Sequence, residues 1–325
     1  MIKKTLFRLD TPYREQFRIE AFEFGPADAA ESIGVVGSLR GNEVQQTYVA
    51  ACLVRRLQQL EAAGFLTGKA RILVVPAANS FSMNIASRFW PMDSTDINRM
   101  FPGYDQGETT QRIAAGLFEA IKDCTYGLQL ASFYLPGEFE PHVRATDTGA
   151  VDLERSRELA KSFGFPYAVL KDPAPFDTTT LNYNWQVWGA YAFSLYSAST
   201  ERISEQAADF VLGCIMRFLV TVGAVREGWE GVESERRPTC LGPCETRFLR
   251  ESSLVDVRTS RAGFFQRVSY IGDKVREGDV LARILSTDDC SVRELLTSPC
   301  DGTVFFRHGP ELVNADTIAF KIAPK

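Results

Sequence analysis

Histidine, the side chain that most often binds catalytic metal ions, is scarce in this sequence. Only His142 and His308 occur among the 325 residues, so a histidine-rich metal site cannot be assembled. His142 could act as a replacement ligand or base, although a lone histidine is more often simply packed or solvated. Cys52 and Cys124 are possible nucleophiles, but the sequence suggests no histidine partner that would activate either thiol.

Three segments place charged and amide side chains beside turn residues. They are GSLRGNE (37–43), SRFWPMDSTDINRMFPG (87–103) and GLQL (127–130). In the second segment, Pro102 fixes one backbone dihedral and Gly103 permits a positive φ, so these residues are expected to shape a turn. The charged and amide residues around the turns are therefore the candidates for binding and catalysis.

These segments together resemble the succinylglutamate desuccinylase/aspartoacylase family of zinc-dependent amide hydrolases. The first is similar to the family's Gly-x-x-His-Gly-x-Glu turn. The second follows its Ser-Arg…Pro-x-Asp…Asp-x-Asn-Arg-x-Phe-Pro-Gly segment almost position by position, and the third stands where the family has Asp-Leu-His. The resemblance covers nearly the whole chain. It implies a zinc carboxypeptidase-like fold and a zinc ion that activates water and polarises the scissile carbonyl.

Two of the three positions that the resemblance assigns to zinc carry other side chains. Glu43 matches the carboxylate ligand, whereas Arg40 and Gln129 replace the two histidines. Arginine offers no lone pair, and an amide oxygen suits calcium or magnesium better than zinc. We therefore expect no zinc and no other cofactor. Arg40 is predicted to pair with Glu43 and supply the lost positive charge, or alternatively to bind an anionic substrate.

The family's general base is a glutamate on the strand before the last long helix. By alignment, Tyr196 occupies that position in this sequence. Glu201 is the nearby carboxylate that a shifted register could restore as the base. The resemblance therefore implies either a lost base or a displaced one.

The residues at the family's substrate-binding positions match the family pattern more closely than those at the zinc positions. Arg88, Asp96, Asn98 and Arg99 all match, and Arg144 lies in HVRA, which resembles a later Val-Arg segment. Guanidinium groups bind carboxylates through paired hydrogen bonds, so a small carboxylate-bearing molecule is the expected ligand. Asn98 and Arg99 could instead only brace the turn.

The pattern of apolar residues predicts the α/β fold class. It consists of a mixed, mainly parallel sheet flanked by helices, followed by a small C-terminal all-β, barrel-like domain. A polar segment at 226–243 separates the predicted domains, 1–228 and 229–325. The aromatic segment 183–193 could line a pocket or pack in the core. Buried strands are predicted at 32–39, 70–79, 125–133 and 190–199, and helices at 43–64, 109–124, 151–166 and 204–223.

The C-terminal strands resemble a lipoyl/biotinyl-type barrel, whose carrier versions present a lysine at a hairpin tip. The corresponding segment here, STDDCSVRELLT (286–297), contains no lysine, which argues against a carrier role. Cys240 and Cys244 could join Cys290 and Cys300 in a zinc site. Their C-x3-C and C-x9-C spacings are not those of usual zinc knuckles, so unconnected thiols are favoured.

Composition excludes several classes of partner. The net charge of −5 and pI near 5.4 give no basic surface for nucleic acid. No apolar stretch reaches the roughly 20 residues that span a membrane, and no signal peptide is evident, so a cytoplasmic location is expected.

The sequence thus favours a metal-free pseudoenzyme, or binder of a small N-acyl amino acid or other carboxylate. One alternative is an active amide hydrolase with rebuilt chemistry, in which Arg40 polarises the substrate carbonyl. Another is a non-catalytic interaction subunit, with a homo-oligomer or a partner protein as its assembly.

Overall fold

The computed structural model describes residues 1–11, 13, 15–233 and 245–325. Its contacts divide the chain into two compact units. The first contains Met1–Ser132 and His142–Arg247, and the second contains Phe133–Pro141 and Phe248–Lys325. Cys240 and Cys244 lie outside the described residues, so the predicted arrangement of their thiols stays a prediction. Within the described residues, no helix is long and apolar enough to span a membrane.

Strands and helices alternate along most of the first 250 residues, which contain ten strands and six α-helices among the described residues. The strands are β1 (Ile2–Leu9), β2 (Phe17–Phe24), β3 (Glu31–Ser38), β4 (Ala70–Ala77), β5 (Tyr126–Ala131), β6 (Gly137–Phe139), β7 (His142–Thr146), β8 (Tyr167–Lys171), β9 (Tyr191–Tyr196) and β10 (Arg247–Arg250). The helices are α1 (Val44–Ala62), α2 (Ser80–Met83), α3 (Thr109–Ile121), α4 (Leu153–Ser162), α5 (Leu181–Val187) and α6 (Glu205–Thr221).

The large sheet has the order β1-β2-β4-β3-β5-β9-β7-β8-β10. Its central strands β4, β3, β5 and β9 run parallel, while β1, β2 and the β7–β9 pair add antiparallel neighbours. The central strands are almost fully buried, as expected for a parallel sheet covered by helices. The predicted mixed, mainly parallel sheet flanked by helices is therefore confirmed.

Helix α5 packs closely on the centre of this sheet because two strand residues are glycine. A Cβ atom added to Gly127 would lie 2.6 Å from the Trp185 ring, and one added to Gly34 would lie 2.9 Å from it. The Trp185 indole is fully buried and donates a 2.7 Å hydrogen bond to the Ile121 carbonyl. The Trp185 part of the aromatic segment is therefore core.

The second unit is entirely β apart from short turns, as predicted. Its later strands are β11 (Val255–Arg258), β12 (Gly263–Arg267), β13 (Lys274–Val275), β14 (Val280–Leu285), β15 (Val292–Thr297), β16 (Gly302–His308), β17 (Leu312–Val313) and β18 (Ile318–Pro324). They form two sheets, β11-β18-β16-β13 and β15-β14-β12-β17, which share one apolar core. Strand β6 joins the first of these sheets by pairing with β16.

The contact boundary lies later in the chain than the sequence-predicted boundary at 228/229. Thr246 donates its hydroxyl to the Phe165 carbonyl at 2.8 Å, and the Arg247 N–H donates to the Pro166 carbonyl at 2.9 Å. These bonds keep residues 245–247 on the first unit. The second difference is the segment 133–141, which belongs to the second unit although it precedes β7.

Candidate substrate-binding site

The candidate residues gather where parallel strands of the first unit end. Arg40 and Glu43 lie in the turn between β3 and α1, Ser132 follows β5, and Tyr196 is the last residue of β9. In open α/β sheets, ligands bind outside the carboxyl ends of such strands. The fold therefore brings the first and third sequence motifs to one edge of the sheet.

Arg40 is the centre of a buried polar cluster. Its Nε donates to Asp96 Oδ2 at 2.9 Å, and its Nη1 donates to Glu43 Oε1 at 3.2 Å and to Ser132 Oγ at 3.4 Å. Burial alone would lower the pKa of Arg40, but the charges of Glu43 and Asp96 outweigh it and raise this pKa above its ordinary value. The ion pair with Glu43 that the sequence predicted is present, and Asp96 is a second partner.

Every oxygen of Glu43 is already engaged. Oε1 accepts the Ser132 hydroxyl at 2.6 Å as well as the Arg40 guanidinium. Oε2 accepts the backbone N–H groups of Leu39 at 2.9 Å and Arg40 at 3.1 Å. A carboxylate has about four acceptor positions, so no lone pair of Glu43 is left for a further ligand.

Gln129, the remaining position that the sequence resemblance assigns to zinc, is buried on β5. Gln129 pairs with Ser194 and Ala131 pairs with Tyr196 in the sheet, so Gln129 and Tyr196 project from the same face. The set Arg40, Glu43 and Gln129 offers zinc one amide oxygen and one fully bonded carboxylate. It does not fit the nitrogen-rich coordination that zinc prefers. Among the described residues, no group of three histidine, cysteine or acidic side chains could hold a metal ion.

Arg88 and Arg99 are less enclosed than Arg40. The Arg88 side chain is 39% exposed, and its Nη2 lies 3.9 Å from Asp96 Oδ2, an oxygen that already receives Arg40. Burial lowers the pKa of Arg88, and the neighbouring positive charge of Arg40 lowers it further. Arg99 Nη1 donates to the Phe176 carbonyl at 2.7 Å. Both guanidinium groups therefore retain donors that a ligand could use.

Asn98 links two segments of the first unit through hydrogen bonds. Its Oδ1 accepts the backbone N–H of Leu181 at 3.1 Å, and its own N–H donates to Asp96 Oδ1 at 3.0 Å. Asn98 is also buried. These bonds join the 96–99 turn to the start of α5, which is the bracing role that the sequence left open.

Tyr196, which the sequence alignment assigns to the general-base position, contacts two side chains of β7. The His142 ring stacks on it with centroids 4.3 Å apart and planes 6° apart, and the Arg144 guanidinium carbon lies 4.7 Å from its ring centroid. Tyr196 and His142 are both buried. Arg144, predicted to bind substrate, thus contacts the aromatic ring.

Glu201, the alternative base, lies on the surface near the first motif. Its Oε1 accepts the Asn42 side-chain N–H at 2.9 Å. Gln45 holds the same loop through a 3.1 Å bond to the Ser204 carbonyl and a 2.8 Å bond from the Ser204 N–H. The Glu201 carboxylate is therefore adjacent to the turn that carries Arg40 and Glu43.

Sequence reasoning missed several residues of this region. Ser132 completes the Glu43 hydrogen bonds, and Phe176 contacts Arg99, yet neither stands in a recognisable motif. Only the position of Ser132 directly after a buried strand could have indicated it. Gln45, two residues after the first motif, could have been suspected because a glutamine at a buried helix position needs partners.

Comparisons with known proteins agree with this architecture. The family model for the succinylglutamate desuccinylase/aspartoacylase catalytic domain matches residues 29–221. A relative from Halomonas elongata, N-alpha-acetyl-L-2,4-diaminobutyric acid deacetylase, is 26% identical over 298 residues, which are 88% of this chain and 80% of the relative.

Solved structures share the fold at low sequence identity. A succinylglutamate desuccinylase/aspartoacylase from Rhodobacter sphaeroides is 20% identical with a TM-score of 0.76, covering 98% of this chain and 95% of that one. A succinylglutamate desuccinylase from Silicibacter sp. is 18% identical with a TM-score of 0.78, covering 98% and 94%. The product-bound ectoine utilization protein EutE (DoeB) from Ruegeria pomeroyi is 19% identical with a TM-score of 0.73, covering 95% and 90%.

Proposed function

Because the chain belongs to the succinylglutamate desuccinylase/aspartoacylase family, we propose that it is a metal-free member that binds a small carboxylate of the N-acyl amino acid type without hydrolysing it. The Halomonas relative is named for an N-acetylated amino acid, which supports this class of ligand. Such a binder could act as a regulatory or partner subunit.

The observation that carries this proposal is the Arg40 guanidinium between Glu43 and Asp96, at 3.2 Å and 2.9 Å. A divalent cation at Glu43 would have to break these bonds and would face a permanent positive charge. One guanidinium thus supplies the positive charge that two buried carboxylates share. The Arg40 cation and its bonds to Glu43 and Asp96 thus support the proposal of a site without zinc.

The charge balance favours an anionic ligand. Arg40, Arg88 and Arg99 carry three positive charges, and Glu43 and Asp96 carry two negative charges, which leaves +1 (3 − 2). One carboxylate would neutralise the cluster. The planar guanidinium groups of Arg88 and Arg99 suit a carboxylate because each can donate two parallel hydrogen bonds.

The test combines elemental analysis with calorimetric titration. We expect purified protein to lack stoichiometric zinc and to bind N-acetyl amino acids without turnover. Arg88→Gln and Arg99→Gln should each weaken binding by about tenfold or more, the loss typical of a charge-assisted hydrogen bond. Arg112→Gln, an exposed arginine of α3, is the matched control and should bind normally. One zinc per chain, or unchanged binding in both cleft variants, would refute the proposal.

A second candidate is an active amide hydrolase with rebuilt chemistry. The observation in its favour is Glu201, an exposed carboxylate that bonds Asn42 at 2.9 Å in the same turn as Arg40 and Glu43. Glu201 could serve as the general base in place of the family glutamate, a role that Tyr196 at the aligned position does not fill. Turnover of N-acetyl amino acids that Glu201→Gln abolishes while ligand binding persists would favour this candidate over the binder.

A further inference from the structure

Two exposed phenylalanines stand beside the arginines of the candidate site. Phe89 is 42% exposed and Phe176 is 62% exposed. Phe89 directly follows Arg88 in the second motif, and Phe176 lies in the loop between β8 and α5. Single exposed apolar side chains are common on protein surfaces, so the contacts of these two rings decide whether they belong to the site.

Each ring lies against a guanidinium group. The Arg88 guanidinium carbon is 5.7 Å from the Phe89 ring centroid, and the Arg99 guanidinium carbon is 5.6 Å from that of Phe176. Lys171 Nζ lies 5.2 Å from the Phe176 centroid. Cation–π contact of this kind orients an aromatic ring while leaving much of its surface open.

The loop that carries Phe176 is firmly anchored. Asp177 is buried, accepts the Ala174 N–H at 2.8 Å and pairs with Lys171 Nζ at 2.8 Å. The Arg99 guanidinium also holds the Phe176 carbonyl at 2.7 Å. Several bonds therefore fix the backbone on both sides of an exposed aromatic ring, which makes its exposure a property of the fold.

We propose that Phe176, with Phe89, forms an apolar subsite next to Arg88 and Arg99, so that the preferred ligand is a monocarboxylate carrying an aromatic or branched aliphatic group. This inference rests on the proposed function, because it assumes that the two arginines bind the carboxylate. A dicarboxylate fits less well. Its second charge would exceed the single positive charge available and would face the electron-rich surfaces of the rings.

The experiment compares N-acetyl-L-phenylalanine, N-acetylglycine and N-acetyl-L-aspartate by calorimetric titration. The first should bind the wild-type protein about tenfold or more tightly than either of the others, from burial of its ring against Phe176. Phe176→Ala should remove most of this preference and leave N-acetylglycine binding within about twofold. Phe176→Leu should keep part of the preference because it retains apolar surface.

Tyr104→Ala is the matched control, since Tyr104 is 58% exposed in the same unit and lines a groove beside α3. It should leave all three affinities unchanged. If N-acetylglycine binds but N-acetyl-L-phenylalanine binds no more tightly, or if Phe176→Ala weakens both equally, the apolar subsite is wrong while the anion site stands. If none of the three ligands binds, the proposed function itself fails.

Discussion

Arg40 makes its contacts through two different nitrogens, and this explains why arginine in particular suits the position. Nε reaches Asp96 and Nη1 reaches Glu43, so one planar group joins two carboxylates from separate segments. A lysine ammonium is a compact charge at the end of a flexible chain and cannot reproduce this fork. The i,i+3 spacing of Arg40 and Glu43 predicted half of this arrangement from sequence. The contribution of Asp96 depends on how the 87–103 segment folds, which spacing alone does not give.

Arg40→Met should destabilise the protein strongly. The change keeps much of the side-chain volume but leaves Glu43 and Asp96 buried without their cation, and such losses typically amount to about 3–5 kcal/mol. Urea denaturation measures the change in free energy of unfolding. Arg112→Met, on the exposed face of α3, should change that free energy by less than about 0.5 kcal/mol. A similar small effect at Arg40 would show that the cluster contributes little to stability.

Placing histidine at the two positions that the resemblance assigns to zinc ligands should create zinc binding. Arg40→His combined with Gln129→His would place two imidazoles beside Glu43, and three such ligands with one open position are typical of catalytic zinc sites. Elemental analysis after dialysis should find about one zinc per chain in the double variant and far less in either single variant. A zinc-free double variant would mean that the backbone positions, and not only the side chains, have departed from the family arrangement.

At the scale of elements, the first turn of α1 is joined to the loop after β9. Gln45 bonds both backbone groups of Ser204, and Gln46 donates to the Ala131 and Ser199 carbonyls at 3.1 Å and 3.2 Å. Both glutamines are buried. These contacts hold the turn of Arg40 and the loop of Glu201 in a fixed relation.

Gln45→Ala should therefore loosen this junction. The Ser204 N–H would lose its partner, whereas the Ser204 carbonyl would still accept the Ala208 N–H at 2.9 Å. A donor left without a partner costs about 1–3 kcal/mol. We expect a fall of that size in the free energy of unfolding, measured by urea denaturation. Gln58→Ala, at an exposed position of the same helix, should have almost no effect. Because alanine favours a helix more than glutamine does, equal losses at the two positions would mean that the junction is not the cause.

Sequence patterns identified the elements whose apolar residues are continuous or helically spaced, such as β3, β4, β5 and α1. They did not identify β1 and β2, where charged residues alternate with apolar ones on antiparallel strands. The residues of the site divide in the same way. Arg88 and Arg99 were found through a motif, whereas Ser132 and Phe176 are positioned by long-range packing that no local pattern records.

At the scale of the whole molecule, neither unit is one continuous stretch of chain. Residues 133–141 belong to the second unit, and β6 pairs with β16 through Phe139 and Phe306. The sequence could not predict this, because β6 has only three residues and its partner lies more than a hundred and sixty residues away. The polar segment predicts a division at 228/229, whereas the contacts divide the chain after Arg247, where residues 246 and 247 bond to the first unit.

His308, in the second unit, leads us to expect that the stability of the protein depends on pH. Burial lowers the pKa of His308, and the charge of Arg267 lowers it further. The His308 ring is buried and contacts Phe265 edge to face with centroids 5.8 Å apart. Arg267 is itself paired with Glu311 at 2.7 Å, so the local positive charge is partly balanced. Between the folded and unfolded pKa values of His308, the unfolded chain therefore binds more protons than the folded chain.

Stability from His308 is thus fully present above the unfolded pKa, near 6.5, and declines as pH falls toward the lower folded value. Urea denaturation at pH values from about 7 to about 5, above the main titration of carboxylates, should show this decline. His308→Gln should reduce the dependence because glutamine does not titrate. All four tryptophans lie in the first unit, so unfolding should be followed by circular dichroism and by tryptophan fluorescence in parallel. An unchanged pH slope in the variant would assign the dependence to groups other than His308.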